Sequence, residues 1–309
     1  MSQAEKAARW PEHLLEQRIE KEDRKRLRDE YDESHSLKRA FNGYHYIHAL
    51  LKLTGLYRQG WRTFMNPALV ERTILLPTLP QSFDGFRILH LSDTHFDLEP
   101  RLAEVVAKRM EKLDYDACLV TGDFRDRLTK SGDVGVQLAI ALLGKTGRPV
   151  YACLGNHDIH TDPVLLEAGG IRVLINESVP LDRGGERIYI CGVDDPGYYG
   201  TDDFDAAYRN VPQGAFSILL AHDPGAYAKA ATYGTALMLS GHTHAGQMCL
   251  PNGHALATHS QCTREMVHGL WQHGSMAGYT TSGVGGSRIA ARFFTRGELA
   301  IHILRKQFQ

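Results

Sequence analysis

Long apolar runs are missing from this 309-residue chain. No stretch approaches the roughly 18 consecutive apolar residues that mark a membrane-crossing helix, so no transmembrane span is expected. The first three dozen residues are densely charged and carry no apolar segment of the kind an export leader needs, so no signal peptide is expected either. Cysteine is scarce. Cys118, Cys153, Cys191, Cys249 and Cys262 are odd in number, form no C-x-x-C pair, and sit partly inside apolar runs. They read as reduced, buried thiols, which points to the cytosol. An excess of either charge is also absent: Lys and Arg total 35, Asp and Glu 36, for a net charge of -1. That balance gives no reason to expect nucleic acid as a partner. No internal repeat or low-complexity tract appears, and 43% hydrophobic residues suffice for a large single core.

What is present is a set of short polar islands: Asp93-Thr94-His95, Gly122-Asp123, Gly155-Asn156-His157-Asp158, His222-Asp223 and Gly241-His242-Thr243-His244. Apolar runs precede them at 87–91, 117–120, 150–154, 216–221 and 236–239. Runs of this length read as buried strands, so each island lies where a strand stops. Strand ends along one sheet rim are close in space, and there an α/β protein normally builds its site. Together the islands supply the ligand inventory for a pair of divalent metals. A carboxylate that bridges two cations needs one oxygen for each, and Asp123, behind a glycine that permits a tight turn, is the natural candidate. Imidazoles and one carboxamide complete the shells without enough negative charge to repel an anionic substrate. Two ions about 3.5–4 Å apart can clamp a phosphoryl group, lower the pKa of a bound water and steady the charge of an in-line displacement. Nitrogen and oxygen ligands without cysteine favour Mn, Fe or Zn.

The order D-x-H, G-D, G-N-H-D, H, G-H-x-H resembles the calcineurin-like metallophosphoesterase superfamily over roughly residues 84–305. By that resemblance one metal takes Asp93, His95, Asp123 and His244, and the other takes Asp123, Asn156, His222 and His242. His157 contacts the scissile phosphate and helps protonate the leaving group, with Asp158 accepting a hydrogen bond to orient it. The implied fold is a two-sheet α/β sandwich flanked by helices, with the metals on one rim. Purple acid phosphatases carry a tyrosine where this chain has Asp126 and lack the equivalent of His95. The lipid A pathway pyrophosphatases have arginine where this chain has His157. What remains resembles a bacterial branch reading G-H-T-H-x-G-Q, matched by residues 241–247, followed later by Thr281-Ser282-Gly283. Members of that branch are often membrane-associated, and some hydrolyse UDP-2,3-diacylglucosamine. Ile289-Ala290-Ala291-Arg292 lacks a proline expected there.

Other polar residues have plainer readings. His254, His259, His268, His273 and His302 taken singly read as surface or hydrogen-bonded histidines. Gly283, Gly285 and Gly286 could form an anion nest, but a glycine-rich turn is the commoner explanation and is preferred. Arg125, close after the bridging aspartate, is a candidate substrate-binding residue with Asn156 and His157. Asp97 and Asp194-Asp195 read as turn or rim residues.

Two parts are expected along the chain: a helical N-terminal arm at 1–72 and a catalytic domain at 73–309. In residues 1–39, Trp10, Leu14, Leu15 and Ile19 form a narrow apolar stripe at helical spacing. Between residues 44 and 64, Tyr44, Tyr46, Ile47, Leu50, Leu51, Leu53, Tyr57, Trp61 and Phe64 mix with Lys52, Arg58 and Arg62. That mixture suits a membrane interface, and an arm docked on the catalytic domain or a second subunit is the alternative. From about Thr73, strand-like runs alternate with helical patterns such as Leu102, Val105, Val106 and Met110. Residues 250–279 read as a loop or small cap. The expectation is a cytoplasmic phosphohydrolase, possible contact with the inner face of the membrane being carried by 44–64, acting on a phosphodiester or pyrophosphate such as UDP-2,3-diacylglucosamine. A soluble nucleotide phosphodiesterase and a non-catalytic metal-binding scaffold are the alternatives. A di-iron redox protein, built on glutamate pairs from helices, fits poorly because these ligands end strands. Oligomeric state is not legible.

Overall fold

The computed structural model of the chain describes residues 9–34, 43–128 and 133–307. The outer ends of the arm, residues 1–8 and 35–42, and the side chain of Tyr44 lie outside the described residues. Three helices come first: α1 (Glu12–Ser34), α2 (Gly43–Leu53) and α3 (Leu56–Phe64). After β1 (Ala68–Leu76), strands and helices alternate as β2 (Arg87–Leu91), α4 (Arg101–Met110), β3 (Ala117–Val120), α5 (Val134–Leu143), β4 (Val150–Ala152), α6 (Asp162–Ala168) and β5 (Arg172–Val173). Then follow β6 (Glu177–Arg183), β7 (Glu186–Gly192), α7 (Phe204–Tyr208), β8 (Ser217–Leu220), α8 (Tyr227–Thr232), β9 (Leu237–Ser240), β10 (Gly269–His273), β11 (Met276–Thr280) and β12 (Glu298–Lys306).

The strands form two six-stranded sheets, ordered β1-β12-β2-β3-β4-β5 and β10-β11-β9-β8-β7-β6. Side chains of a strand point alternately to opposite faces, and both faces here are covered. Ile88, Leu119 and Leu304 of the first sheet meet Ile190, Ile218, Leu220 and Leu239 of the second in the central core. Their chain neighbours Leu89, Leu91, Val120 and Ile301 point outward, beneath Leu102 and Val106 of α4 and Val136 and Ala139 of α5. On the far side Cys191, Leu219 and Met238 pack with Phe204 and Ala230 from α7 and α8. The fold is therefore the expected two-sheet α/β sandwich, and continuous apolar runs were needed in β2, β3, β8 and β9 because these central strands are buried on both faces.

Three expectations change. The 72/73 boundary falls inside β1, which pairs in parallel with β12 from Ala68↔Glu298 to Leu76↔Lys306 and so belongs to the sandwich. Residues 250–279 are irregular only in their first part; β10 and β11 then form a hairpin with Gly269 opposite Thr280. Glycines at 269, 274 and 278 interrupt the apolar alternation there, and Gly278 is required because the Trp271 ring lies across it. The arm, third, is docked. Trp10 is buried with Leu14 and Leu15 against the first sheet's outer core, and its Nε1 donates to Asp194 at 2.7 Å. In α3, Phe64 is fully buried and Trp61 Nε1 donates to Glu99 at 3.0 Å. The aromatic residues of 57–64 thus face protein, whereas Ile47, Leu50 and Leu53 of α2 stay exposed. Phe64→Ala is expected to lower unfolding free energy by ~3–5 kcal/mol in urea titration. An arm that merely rested on the domain would leave it near the wild-type value.

Candidate metal centre

The C-terminal ends of β2, β3, β4, β8 and β9 deliver the five islands to one rim. The chain must reverse sharply as it leaves each strand, and the backbone shows how. Asp93, His95, Asp123, His242 and His244 all hold left-handed conformations, with φ of 49°, 38°, 59°, 67° and 51°. Such residues each cost on the order of 1–3 kcal/mol and cluster at functional sites. Gly122, at φ 85°, must be glycine twice over, since any Cβ would strike the backbone of Gly155.

Backbone carbonyls aim the rings. His95 Nδ1 donates to the Arg125 carbonyl at 2.7 Å, and His222 Nδ1 donates to the Thr121 carbonyl at 2.6 Å. With Nδ1 so used, Nε2 of each ring presents a lone pair to the centre. His95 Nε2 lies 3.5 Å from Asp123 Oδ2, and His244 Nε2 lies 3.6 Å from Asp93 Oδ1. Next to this group, His222 Nε2 is 3.2 Å from Asp123 Oδ2 and 3.1 Å from Asn156 Oδ1. His242 Nδ1 is 3.0 Å from the same Asn156 oxygen, while its Nε2 donates to the His259 carbonyl at 3.2 Å. With neutral rings, Nε2 of His95 and of His222 meets the Asp123 carboxylate as acceptor against acceptor, an arrangement that a shared cation makes favourable. His95 Nε2 and His244 Nδ1 are also buried with no hydrogen-bond partner, and Asp93, His95 and His244 bring one ligand atom each within 4.8 Å of one another. The donor set therefore fits divalent metal.

The electrostatic field agrees. Burial opposes a charge on His222, but Asp123, Asp93 and Asp195 overcome it and raise its pKa well above the usual value. Burial pushes Asp123 up, yet His222, His157 and His95 hold it well below the carboxylate range. His157 moves the other way: burial and then the Lys25 ammonium lower it well below the histidine range.

All seven expected metal residues, Asp93, His95, Asp123, Asn156, His222, His242 and His244, fall in this cluster, and His157 borders it with its ring centroid 5.0 Å from that of His95. Two expectations differ. Asp158 does not orient His157; its carboxylate accepts the amides of Asp123, Phe124 and Gly155, each at 2.8 Å, because the tight turns there need an acceptor. His157 Nδ1 donates instead to the Asp126 carbonyl. The Arg125 guanidinium turns away to Asp162 and Asp133, so it is its carbonyl, not its charge, that serves the centre. Asp194 and Asp195 follow β7 on the same rim, as expected, although both are wholly buried, and Asp195 holds the turn there by accepting the Tyr199 amide at 2.7 Å. Asp195 Oδ1, although buried, has no hydrogen-bond partner.

Asp97 does act as a turn residue, accepting the Asp126 amide at 2.8 Å. The glycine-rich stretch is no anion nest either: the amides of Val284 and Gly285 are spent on the carbonyls of Ser92 and Asp93 at 2.9 and 2.8 Å. Arg292, fully buried, ties that stretch to the G-H-T-H loop by donating to the carbonyls of Ser282 and His244 at 2.6 and 2.9 Å.

A cleft of about 960 Å³ opens over Asp123, Asn156, His157, His242 and His244, with Arg28, Arg127, Arg288 and Lys229 in its walls. Cations so placed suit an anionic ligand. A smaller groove of about 390 Å³, lined by Ile47, Met248, Leu256 and Ile289, adjoins it and shares His244 and His259. Sequence reasoning missed His259, which borders both spaces, because nothing local distinguishes it from the other solitary histidines.

Known proteins share this pattern. The family described as calcineurin-like phosphoesterase matches residues 86–246, which contain all five islands. The chain is 31% identical over 261 residues to the uncharacterized metallophosphoesterase YkuE of Bacillus subtilis, covering 80% of this chain and 89% of that protein. It is 28% identical to the uncharacterized metallophosphoesterase YkoQ of the same bacterium, over 70% of this chain and 82% of that protein. It is 29% identical to the phosphodiesterase YaeI of Escherichia coli, over 65% and 75%.

Proposed function

Because this chain belongs to the calcineurin-like phosphoesterase family and is a metal-dependent phosphohydrolase, we propose that it works with two divalent ions, Mn, Fe or Zn, that share Asp123. Asp93, His95 and His244 complete one set of ligands; Asn156, His222 and His242 complete the other. The observation that carries this reading is the convergence of imidazole, carboxylate and carboxamide ligand atoms around Asp123, which a shared cation would hold together. When bound, the ions supply Lewis-acid activation of water and neutralise charge on the phosphoryl group.

The side chains then have separate tasks. His157 lines the cleft, and with Nδ1 fixed on the Asp126 carbonyl its Nε2 is the nitrogen left to meet substrate. Burial and Lys25 keep the ring neutral in the free protein. A phosphoryl anion seated beside it opposes both influences and raises its affinity for a proton, the direction needed for donation to the leaving oxygen. Asp158 serves by holding the two turns that carry Asp123 and His157. Asn156 both ligates and borders the substrate.

The substrate is a phosphodiester or pyrophosphate. A lipid-linked nucleotide such as UDP-2,3-diacylglucosamine is the specific reading, and the apolar groove beside the cleft supports it. So does the exposed apolar face of α2, with Ile47, Leu50 and Leu53, as a contact with the inner membrane surface. Among the described residues no helix is long and apolar enough to cross a membrane. The name of YaeI favours a second reading, a phosphodiesterase for a soluble nucleotide.

Metal-reconstituted protein is expected to cleave bis(p-nitrophenyl) phosphate, and cleavage of neither diesters nor pyrophosphates with Mn, Fe or Zn would overturn the reading. Faster turnover of UDP-2,3-diacylglucosamine than of a soluble nucleotide pyrophosphate is expected for the lipid assignment. In that case the paired change Ile47→Ser and Leu256→Ser should raise KM for the diacyl substrate alone. Equal or better turnover of the soluble compound selects the second reading.

A further inference from the structure

The arm reaches the centre by an unexpected route. Arg18, Glu22, Lys25 and Asp29 recur at helical spacing on one face of α1, and all four are buried, at 0%, 6%, 2% and 0% exposure. Burying charge gains little over burying apolar side chains of similar volume, so docking alone does not call for this face. Its contacts show what it holds. Lys25 Nζ donates to the Asn156 carbonyl at 2.5 Å, and Arg18 Nη2 donates to the Asp158 carbonyl at 2.8 Å. The Glu22 carboxylate accepts the His160 amide at 2.7 Å and the His160 ring at 2.6 Å. Asp29 accepts Arg288 Nη1 at 3.0 Å, and the Arg288 amide in turn donates to Asp126, whose carbonyl orients His157. The other end of Arg18 is fixed by Asp194 at 2.5 Å and by the Tyr199 ring, 4.0 Å below the guanidinium.

We propose that Lys25 and Arg18 are positioning residues of the hydrolase: by gripping the carbonyls on either side of His157, they set the direction of the Asn156 carboxamide and the His157 ring. Neither lines the cleft; both act through the loop they hold, and Lys25 also through its charge on the His157 ring. The claim rests on the phosphohydrolase reading for its consequence but not for its test, because the loop can be read directly.

Full-length protein carrying Lys25→Met should exchange the amides of the peptide spanning residues 155–160 faster than wild type and bind Mn²⁺ about 10–100-fold more weakly, the usual scale for losing a partner that orients a ligand. Its kcat should fall more than its KM changes. Gln17→Ala is the control. Gln17 donates to the carbonyls of Tyr199 and Gly200, so this change loosens the same helix away from the loop and should lower Tm while leaving loop exchange and Mn²⁺ affinity as in wild type. Arg18→Lys keeps a charge but gives up reach to the Asp158 carbonyl, and it carries the same test should Lys25→Met fail to fold. Wild-type exchange and Mn²⁺ affinity in a folded variant, or equal effects from Gln17→Ala, would make the charged face a docking surface only and overturn the proposal. If wild type binds Mn²⁺ but cleaves no phosphoester, the hydrolase reading falls while exchange and affinity still decide this one.

Discussion

Asp123→Ala is expected to lose bound metal and turnover together. Oδ2 of this one carboxylate lies 3.5 Å from His95 Nε2 and 3.2 Å from His222 Nε2, so it stands between the two acceptor groups. Oδ1 accepts the His157 amide at 2.8 Å, which ties the same side chain to the loop of His157. Removing it leaves each set of ligands one short and unpins that loop. Elemental analysis of the refolded variant, supplied with Mn, should fall from two ions per chain, and kcat should drop by at least about 10³-fold, as when charge stabilisation is withdrawn from a transition state. Two tightly held ions in the variant would show that Asp123 does not bridge.

His157→Ala is expected to separate binding from chemistry. The ring borders the seven-residue cluster: its Nδ1 is on the Asp126 carbonyl, and the residue lines the cleft. Metal content should therefore stay at the wild-type value while kcat falls about 10²–10⁴-fold, the range for losing general acid help. The loss should be larger for an alkyl leaving group, which must be protonated, than for p-nitrophenolate, which leaves unaided. Unchanged turnover on the alkyl ester removes His157 from the mechanism.

Much of this centre was legible because strand ends are local features. Each island follows an apolar run directly or after a single Ser or Thr, and β2 and β3 lie where their runs predict. The orienting partner of His157 was not legible, since a backbone carbonyl at Asp126 carries no residue-type signal. Arg125 misled for the same reason: proximity along the chain says nothing of which way a long side chain turns, and Asp162, its partner, lies 37 residues on. The arm shows the limit most clearly. Its apolar stripe at Trp10, Leu14 and Leu15 marks the face that packs on the first sheet. The charged stripe at Arg18, Glu22, Lys25 and Asp29 has the same periodicity, yet charged residues on a helix normally mark its wet side. Only a partner surface of carbonyls, amides and opposite charges, supplied by loops far away in sequence, reverses that rule.

The position of β12 in the first sheet bears on how the chain is made. It lies between β1 and β2, parallel to one and antiparallel to the other. Until residues 298–306 have left the ribosome, β1 has no partner and β2 has only β3, and Leu89 and Phe64 lack the cover of Leu299 and Ile301. The acceptor residues on β2, β3, β4, β8 and β9 are all synthesised earlier, but the layer that braces them is closed by late, long-range pairing, which is slow and leaves apolar edges open to misassociation. A nascent chain stalled before residue 298 should therefore engage holding chaperones, and release of the last strand should act as the latch that ends that engagement.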